Sequence, residues 1–125
     1  MATPHIRSIG FTCRDLEAVA GFYTTHLGCS RGACIEIQGG PYAELLGLAG
    51  SHLKLVRLQL GAEQLELMQV IQLGPGLRAG RPIPADSRST DLWFQHICVV
   101  VDDIKSAAAP IQELIERGPV SYTHL

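Results

Sequence analysis

Paired cysteines are missing from this 125-residue sequence: Cys13, Cys29, Cys34 and Cys98 include no CxxC spacing. Their density is far below that of a small disulfide-stapled secreted domain. They are read as reduced, mostly buried thiols of a cytoplasmic protein. Charge of one sign is also lacking. A net charge of −2 offers no basic surface for nucleic acid or an anionic membrane. No apolar run approaches the roughly 20 residues of a transmembrane helix, and MATPHIRSIG shows neither the charged nor the apolar region of a signal peptide. Ser-His-Asp, phosphate-loop and zinc-finger patterns are absent too. What is present, 46% hydrophobic and 18% charged residues, describes one soluble globular domain large enough for a core.

Residues 6–13 are apolar and β-rich enough for a strand. Asp15 can cap a helix to about Leu27, whose Leu16, Val19, Ala20, Tyr23 and Leu27 recur at helical spacing. Gly28 suits its end, because a helix terminus often needs a left-handed residue. Residues 34–38 read as a second strand, followed by the breaker Gly39-Gly40-Pro41 and a short helical turn over 42–48. Two further strands, 53–60 and 64–71, are joined by Gly61-Ala62-Glu63 as a hairpin loop. The predicted order is β-α-β-β-β over 6–71. Residues 72–92 are rich in Gly, Pro, Ser and Arg and form a connector. A strand over 95–101 and a helix over 104–117, ended by Gly118, follow within 93–118. Pro110 inside that helix predicts a kink or a late start.

The pattern restarts in register. SIGFTCRDL aligns with HICVVVDDI, so that Ser8 meets His96, Ile9 meets Ile97, Asp15 meets Asp103 and Leu16 meets Ile104. Strand, aspartate cap and helix recur, the mark of an internal repeat. The second copy stops after its helix.

The stretches IGFTCRDLEAVAGFYTTHLG, LELMQ and FQHICVVVDDI resemble the vicinal-oxygen-chelate superfamily, which includes glyoxalase I, bleomycin- and fosfomycin-resistance proteins and extradiol dioxygenases. The tract GRPIPADSRSTDLWFQHICVVVDDI further resembles a glyoxalase-like subgroup. The resemblance spans residues 6 to about 118, and it is specific for the superfamily rather than for a reaction. It implies an α+β fold, a βαβββ module followed by the first β-α of a second module within a single domain. Each module would curl its strands into half a cup around a divalent metal (Zn, Ni, Fe or Mn). The matching ligand positions are Ser8, Glu66 and His96; the fourth, on the last strand of the second module, has no counterpart here.

Strand parity offers an independent view of the same residues, since side chains alternate across a strand. Leu65 and Leu67 suit the face under the helix, which turns Glu66, Met68 and Val70 into the cup. Ile97, Val99 and Val101 leave His96, Cys98 and Val100 on the cup side. The first strand buries Ile9, Phe11 and Cys13 and offers Ser8, Gly10 and Thr12.

Each candidate has a plain alternative. His96 can be a hydrogen-bonded histidine at a strand mouth, and Glu66 an exposed carboxylate on a half-buried strand. In a dry cup Glu66 would instead need a cation or hydrogen bonds. Ser8 departs from the family pattern, because a neutral hydroxyl is a poor ligand for Zn²⁺, Ni²⁺ or Fe²⁺. His5, three residues earlier, falls on the opposite strand face. His26, His52 and His124 lack supporting context. Arg57 and Gln59 share parity and can enter the cup to meet an anionic substrate, or line an exposed strand face. Arg78, Arg81 and Arg88 suit a carboxylate clamp or solvated loops, and Trp93 and Phe94 suit anchors of the second module.

The resemblance implies a glyoxalase-like, lactoylglutathione-lyase-type enzyme acting on a small vicinal-oxygen substrate, with His96 and Glu66 on the metal and either Glu66 or the missing fourth-position carboxylate moving the proton. The alternative is a metal-free small-molecule-binding or resistance module, favoured by Ser8. Extradiol dioxygenase chemistry is a weaker third, because it favours two histidines. Residues 119–125 (PVSYTHL in the run 119–125) are expected to be a non-native or disordered tail on an incomplete chain. The other option is a short natural member that completes its cup as a homodimer.

Overall fold

The computed structural model describes residues 3–117 of the chain. The expected tail at 119–125 lies outside them. Two compact units divide after Ala79, inside the predicted connector.

In the first unit, β1 (Ile9–Thr12), α1 (Leu16–Leu27), β2 (Ser30–Gln38), α2 (Gly40–Leu45), β3 (His52–Leu60) and β4 (Glu63–Gln72) follow in order. The strands form one sheet in the order β1-β4-β3-β2, with β1 parallel to β4 and the other pairs antiparallel. This is the α+β arrangement expected of a βαβββ module.

The helix signals in the sequence act as read. Asp15 accepts a hydrogen bond from the Ala18 backbone N–H, and Gly28 closes α1 at φ 71°, where a Cβ would be strained. Another orphan donor of the first turn, the Leu16 N–H, is met by the Gln69 side chain at 2.9 Å. That bond also fixes which sheet face lies under α1. Gln69 shares it with Leu65 and Leu67 on β4, and their cross-strand partners Lys54, Leu58 and Val56 share it on β3. Leu16, Val19 and Ala20 from the helix meet this face, and Val56, Leu58 and Leu67 are almost wholly buried. Most of the apolar core sits here, as the parity of β4 predicts, while Leu53 and Leu55 are buried on the opposite face.

Glu17 clamps this side from above. It receives two hydrogen bonds from the Arg31 guanidinium, at 2.5 and 2.8 Å, and an ion pair from Lys54 at 3.2 Å. The Arg31 hydrogen bond, then the Lys54 one, holds the Glu17 carboxyl down at about 2. A carboxyl lowered in the folded state stabilises the fold above its ordinary pKa, and that stabilisation is lost as pH falls through about 2. Half-exposed ion pairs are screened by solvent, so the effect is modest. Glu17→Gln is expected to flatten the acid limb of a Tm-against-pH curve while moving Tm least near pH 2. An unchanged acid limb would remove the clamp from the account.

Several boundaries differ from expectation. β1 begins at Ile9 rather than residue 6, and Ile9 is 46% exposed instead of buried, because β1 is a sheet edge with one neighbour. β2 begins at Ser30, four residues early, through a register shift between Arg31 and Cys34. Such a bulge tolerates a stretch with poor alternation. The β3–β4 loop is two residues, Gly61-Ala62, since Glu63 already pairs with Leu60. Cys13 and Cys29 are buried free thiols, whereas Cys34 and Cys98 are exposed.

In the second unit, α3 (Ile104–Arg117) starts where predicted. Asp103 caps it by accepting from the Lys105 and Ser106 N–H groups. Asp15 and Asp103 therefore perform the same capping task, at the starts of α1 and α3. No late start accompanies Pro110, which lies inside the helix. The strand expected at 95–101 is unpaired among the described residues. A β-ladder exists only where a neighbour accepts the backbone hydrogen bonds. Trp93 is 56% exposed rather than a buried anchor, and its indole N–H donates to the Ser87 hydroxyl at 3.3 Å.

Candidate functional site

On the sheet face away from α1, the sequence brings together Leu55 and Arg57 of β3 with Met68 and Glu66 of β4. The register pairs Arg57 directly with Glu66 and Leu55 with Met68. β2 adds Ile35 opposite Leu55, with Ile37 two residues further along the same side. The chain then turns at Gly39 into α2, where Pro41 occupies the first turn and Tyr42 follows it. That short helix sets a phenol against a sheet face made of isoleucine, leucine, Met68 and one ion pair.

The result is a small concavity of about 130 Å³ lined by Ile35, Ile37, Tyr42, Leu55, Arg57 and Glu66. The Tyr42 hydroxyl donates to Glu66 Oε1 at 2.5 Å, and Arg57 Nε donates to Glu66 Oε2 at 3.1 Å. Each carboxylate oxygen thus has its own donor. The Glu66 side chain is only 15% exposed and that of Arg57 48%, so the pair runs from the floor of the cup toward its mouth. Burial first, then the hydrogen bond to Glu66 and that carboxylate's charge, push the Tyr42 phenol up to about 12. Tyr42 is therefore a neutral, fixed donor across the physiological range.

Glu66 faces into the cup, as parity required, and Arg57 joins it. Gln59 does not: its amide donates to the Gly61 carbonyl at 2.7 Å and serves the hairpin. Ser8 is half-buried in the segment before β1 and is not a strand residue. His5 contacts the Thr3 carbonyl. His52 pairs with Glu36 across the end of the β2–β3 ladder at 3.2 Å, and His26 packs on Phe22 in α1. His96 belongs to the second unit, where it is exposed and its ring lies 6.2 Å from that of Phe94. Tyr42 was missed as a site residue. The breaker Gly39-Gly40-Pro41 predicts a short helix after β2, but no local signal says that its tyrosine reaches Glu66 on β4.

The residues here fit a divalent cation poorly. Among the described residues, no group of three or more His, Cys, Asp or Glu side chains is placed to hold one. Glu66, the carboxylate in the expected ligand position, already has both oxygens engaged, and its counter-charge is the Arg57 guanidinium. Two like unit charges about 4 Å apart repel by roughly 4 kcal/mol near a protein surface, and a divalent ion doubles this. A metal on Glu66 would have to displace Arg57 first.

Comparison with solved structures decides the fold. A glyoxalase family protein from Bacillus cereus superposes on this chain with a TM-score of 0.72, covering 94% of this chain and 74% of that one at 14% identity. The chain has the glyoxalase-like fold. Its identity to that protein is too low to carry an activity across. The structure of SMU.1112c overlays with a TM-score of 0.47 and 15% identity, covering 93% of this chain and 76% of that one. No protein-family model matches the sequence, and no curated protein matches it. Within this glyoxalase-like frame the concave sheet face is where Glu66, Arg57 and Tyr42 converge. No helix among the described residues is long and apolar enough to cross a membrane.

Proposed function

We propose that this chain is a metal-free small-molecule-binding module of the glyoxalase-like fold. The observation that carries the reading is the state of Glu66. Each oxygen keeps a lone pair beyond the one given to Tyr42 or Arg57, but a cation there would sit beside the Arg57 guanidinium and, among the described residues, within no group of three or more His, Cys, Asp or Glu side chains. The charge of the carboxylate is answered by a guanidinium that tolerates partial burial better than an ammonium does. The two part-buried groups of the cluster, Tyr42 and Glu66, are both satisfied, the condition under which buried polar groups order a site rather than destabilise it. Ser8, in the position that matches a family ligand, supports the same reading. The module would take up a ligand and release it unchanged.

The competing reading, a lactoylglutathione-lyase-type enzyme with Glu66 and His96 on a metal, gives a different result in one experiment. Wild-type protein and Glu66→Gln are incubated with Zn²⁺, Ni²⁺, Fe²⁺ or Mn²⁺, dialysed and assayed for bound metal. The expected result is the same substoichiometric background in both. One equivalent of metal in the wild type that disappears in Glu66→Gln would overturn the binding-module reading. Cytoplasmic residence and homodimerisation belong to the same proposal, the second testable by sedimentation of the full chain.

A further inference from the structure

The chemistry of the concavity narrows what it can hold, an inference that rests on the binding-module reading. Three of its walls, Ile35, Ile37 and Leu55, are apolar. Ile35 is 51% exposed at the rim, Ile37 is half-buried beside it, and Leu55, at 6%, forms the apolar floor. The polar end is asymmetric. Arg57 gives its Nε–H to Glu66, while its two terminal nitrogens have no protein partner among the described residues. Because Tyr42 holds Glu66 and Glu66 holds Nε, the guanidinium plane is fixed before any ligand arrives. Its free end presents two parallel N–H donors, the geometry that matches two oxygens on one carbon.

Glu66 weighs against a ligand with negative charge close to Nε. The terminal nitrogens are not the ones bonded to Glu66, however, and the Tyr42 hydroxyl bond already draws on the Glu66 charge. Size supplies the second limit. About 130 Å³ is well below the roughly 300–1,000 Å³ of ordinary ligand pockets. It encloses one six-membered ring or a short branched chain.

We infer that the concavity binds a small monocarboxylate with an apolar body, its two oxygens on the terminal nitrogens of Arg57 and its body against Ile35, Ile37 and Leu55. Preorganisation of Arg57 by Glu66 and Tyr42 lowers the ordering cost that otherwise weakens small-ligand binding.

The test is a ¹H–¹⁵N NMR titration of the full chain with benzoate, and in parallel with benzyl alcohol, its uncharged counterpart. Saturable shifts are expected at Ile35, Ile37, Leu55 and the Arg57 Nε–H with benzoate, and at least tenfold weaker binding of benzyl alcohol. Arg57→Met is expected to weaken benzoate at least tenfold. That variant also leaves Glu66 without its counter-ion, so a second variant is needed. Ile35→Trp fills the cavity while sparing the ion pair, and it is expected to abolish the shifts with the spectrum otherwise folded. Equal benzoate binding by wild type and Arg57→Met, equal binding of benzyl alcohol, shifts confined to other surfaces, or no shifts at all would each overturn the inference. Its failure is separable from failure of the metal-free reading, which is scored by the metal content of Glu66→Gln and not by benzoate.

Discussion

Replacing Gly74 by alanine is expected to destabilise the protein by about 3 kcal/mol or more, one of the largest effects any single methyl group would have here. A Cβ at this position would lie 1.9 Å from the Ala49 carbonyl oxygen and 3.0 Å from the carbonyl carbons of Ala49 and Gly50. All three are backbone atoms, so no rotamer change relieves the overlap. The segments must separate, and separation breaks the bond from the Gly74 N–H to the Ser51 hydroxyl at 2.8 Å. Ser51 is fully buried, its carbonyl accepts from the Gly39 N–H at 2.8 Å, and its own N–H donates to Leu48. The loop after β4 and the entry to α2 thus hang on one serine, and α2 carries Tyr42. Urea unfolding is the measurement, with a lower midpoint at unchanged slope expected for Gly74→Ala. Gly21→Ala is the control: in mid-α1 its Cβ meets nothing within 4 Å, and about 0.5–1 kcal/mol of added stability is expected. Equal behaviour of the two variants would show that the close approach of Gly74 to Ala49 is not tight.

This contact also marks where the sequence stopped being informative. Gly74 lies in a run of Gly and Pro whose composition says "loop" and nothing about what it touches. Asp15 and Gly28 are legible because capping is local: the Asp15 acceptor lies three residues from its donor, Ala18, and the Gly28 N–H five residues from its acceptor, the Tyr23 carbonyl. The β3–β4 hairpin was legible because Gly61-Ala62 sits between two alternating runs. β2 was legible only in its second half, since SRGAC lacks the apolar alternation that announces a strand. It is held in the sheet by β3 on its single neighbouring side. The segment at 95–101 departs from the strand its sequence suggests, for the opposite reason. FQHICVVV has strong β propensity, but propensity alone forms no ladder without a partner strand.

For the site, parity was enough to aim Glu66 and Arg57 at one face. It was not enough to say that they would neutralise each other. Their pairing follows from the β3–β4 register, which the two-residue turn fixes. A one-residue slip would have sent Glu66 to the helix side. Tyr42 and Glu66 lie 24 residues apart, and their contact depends on how α2 lies over the sheet. No period in the sequence encodes that angle. Gln59, equal to Arg57 by parity, is diverted by a carbonyl two residues away, a competition that becomes visible only once the turn is built.

The second large effect tests the parity itself. Leu67 is fully buried on β4, with Phe11 of β1 and Val56 of β3 as its register partners, on the face that α1 covers. Leu67→Ala removes three carbons from a site walled by two strands and a helix. Neighbours held by ladders cannot collapse into the space, so about 2–5 kcal/mol is expected to be lost. Natural domains are stable by only about 5–15 kcal/mol, so this is a large fraction of the total. Met68, one residue on, points to the concave face and is only half-buried. Met68→Ala is expected to cost less than half as much, because an open cup admits water where the side chain was. Denaturant unfolding of the two variants compares the faces directly. Equal losses would place a packed core on both sides of β4, and the cup around Glu66 would then be too closed to receive a ligand.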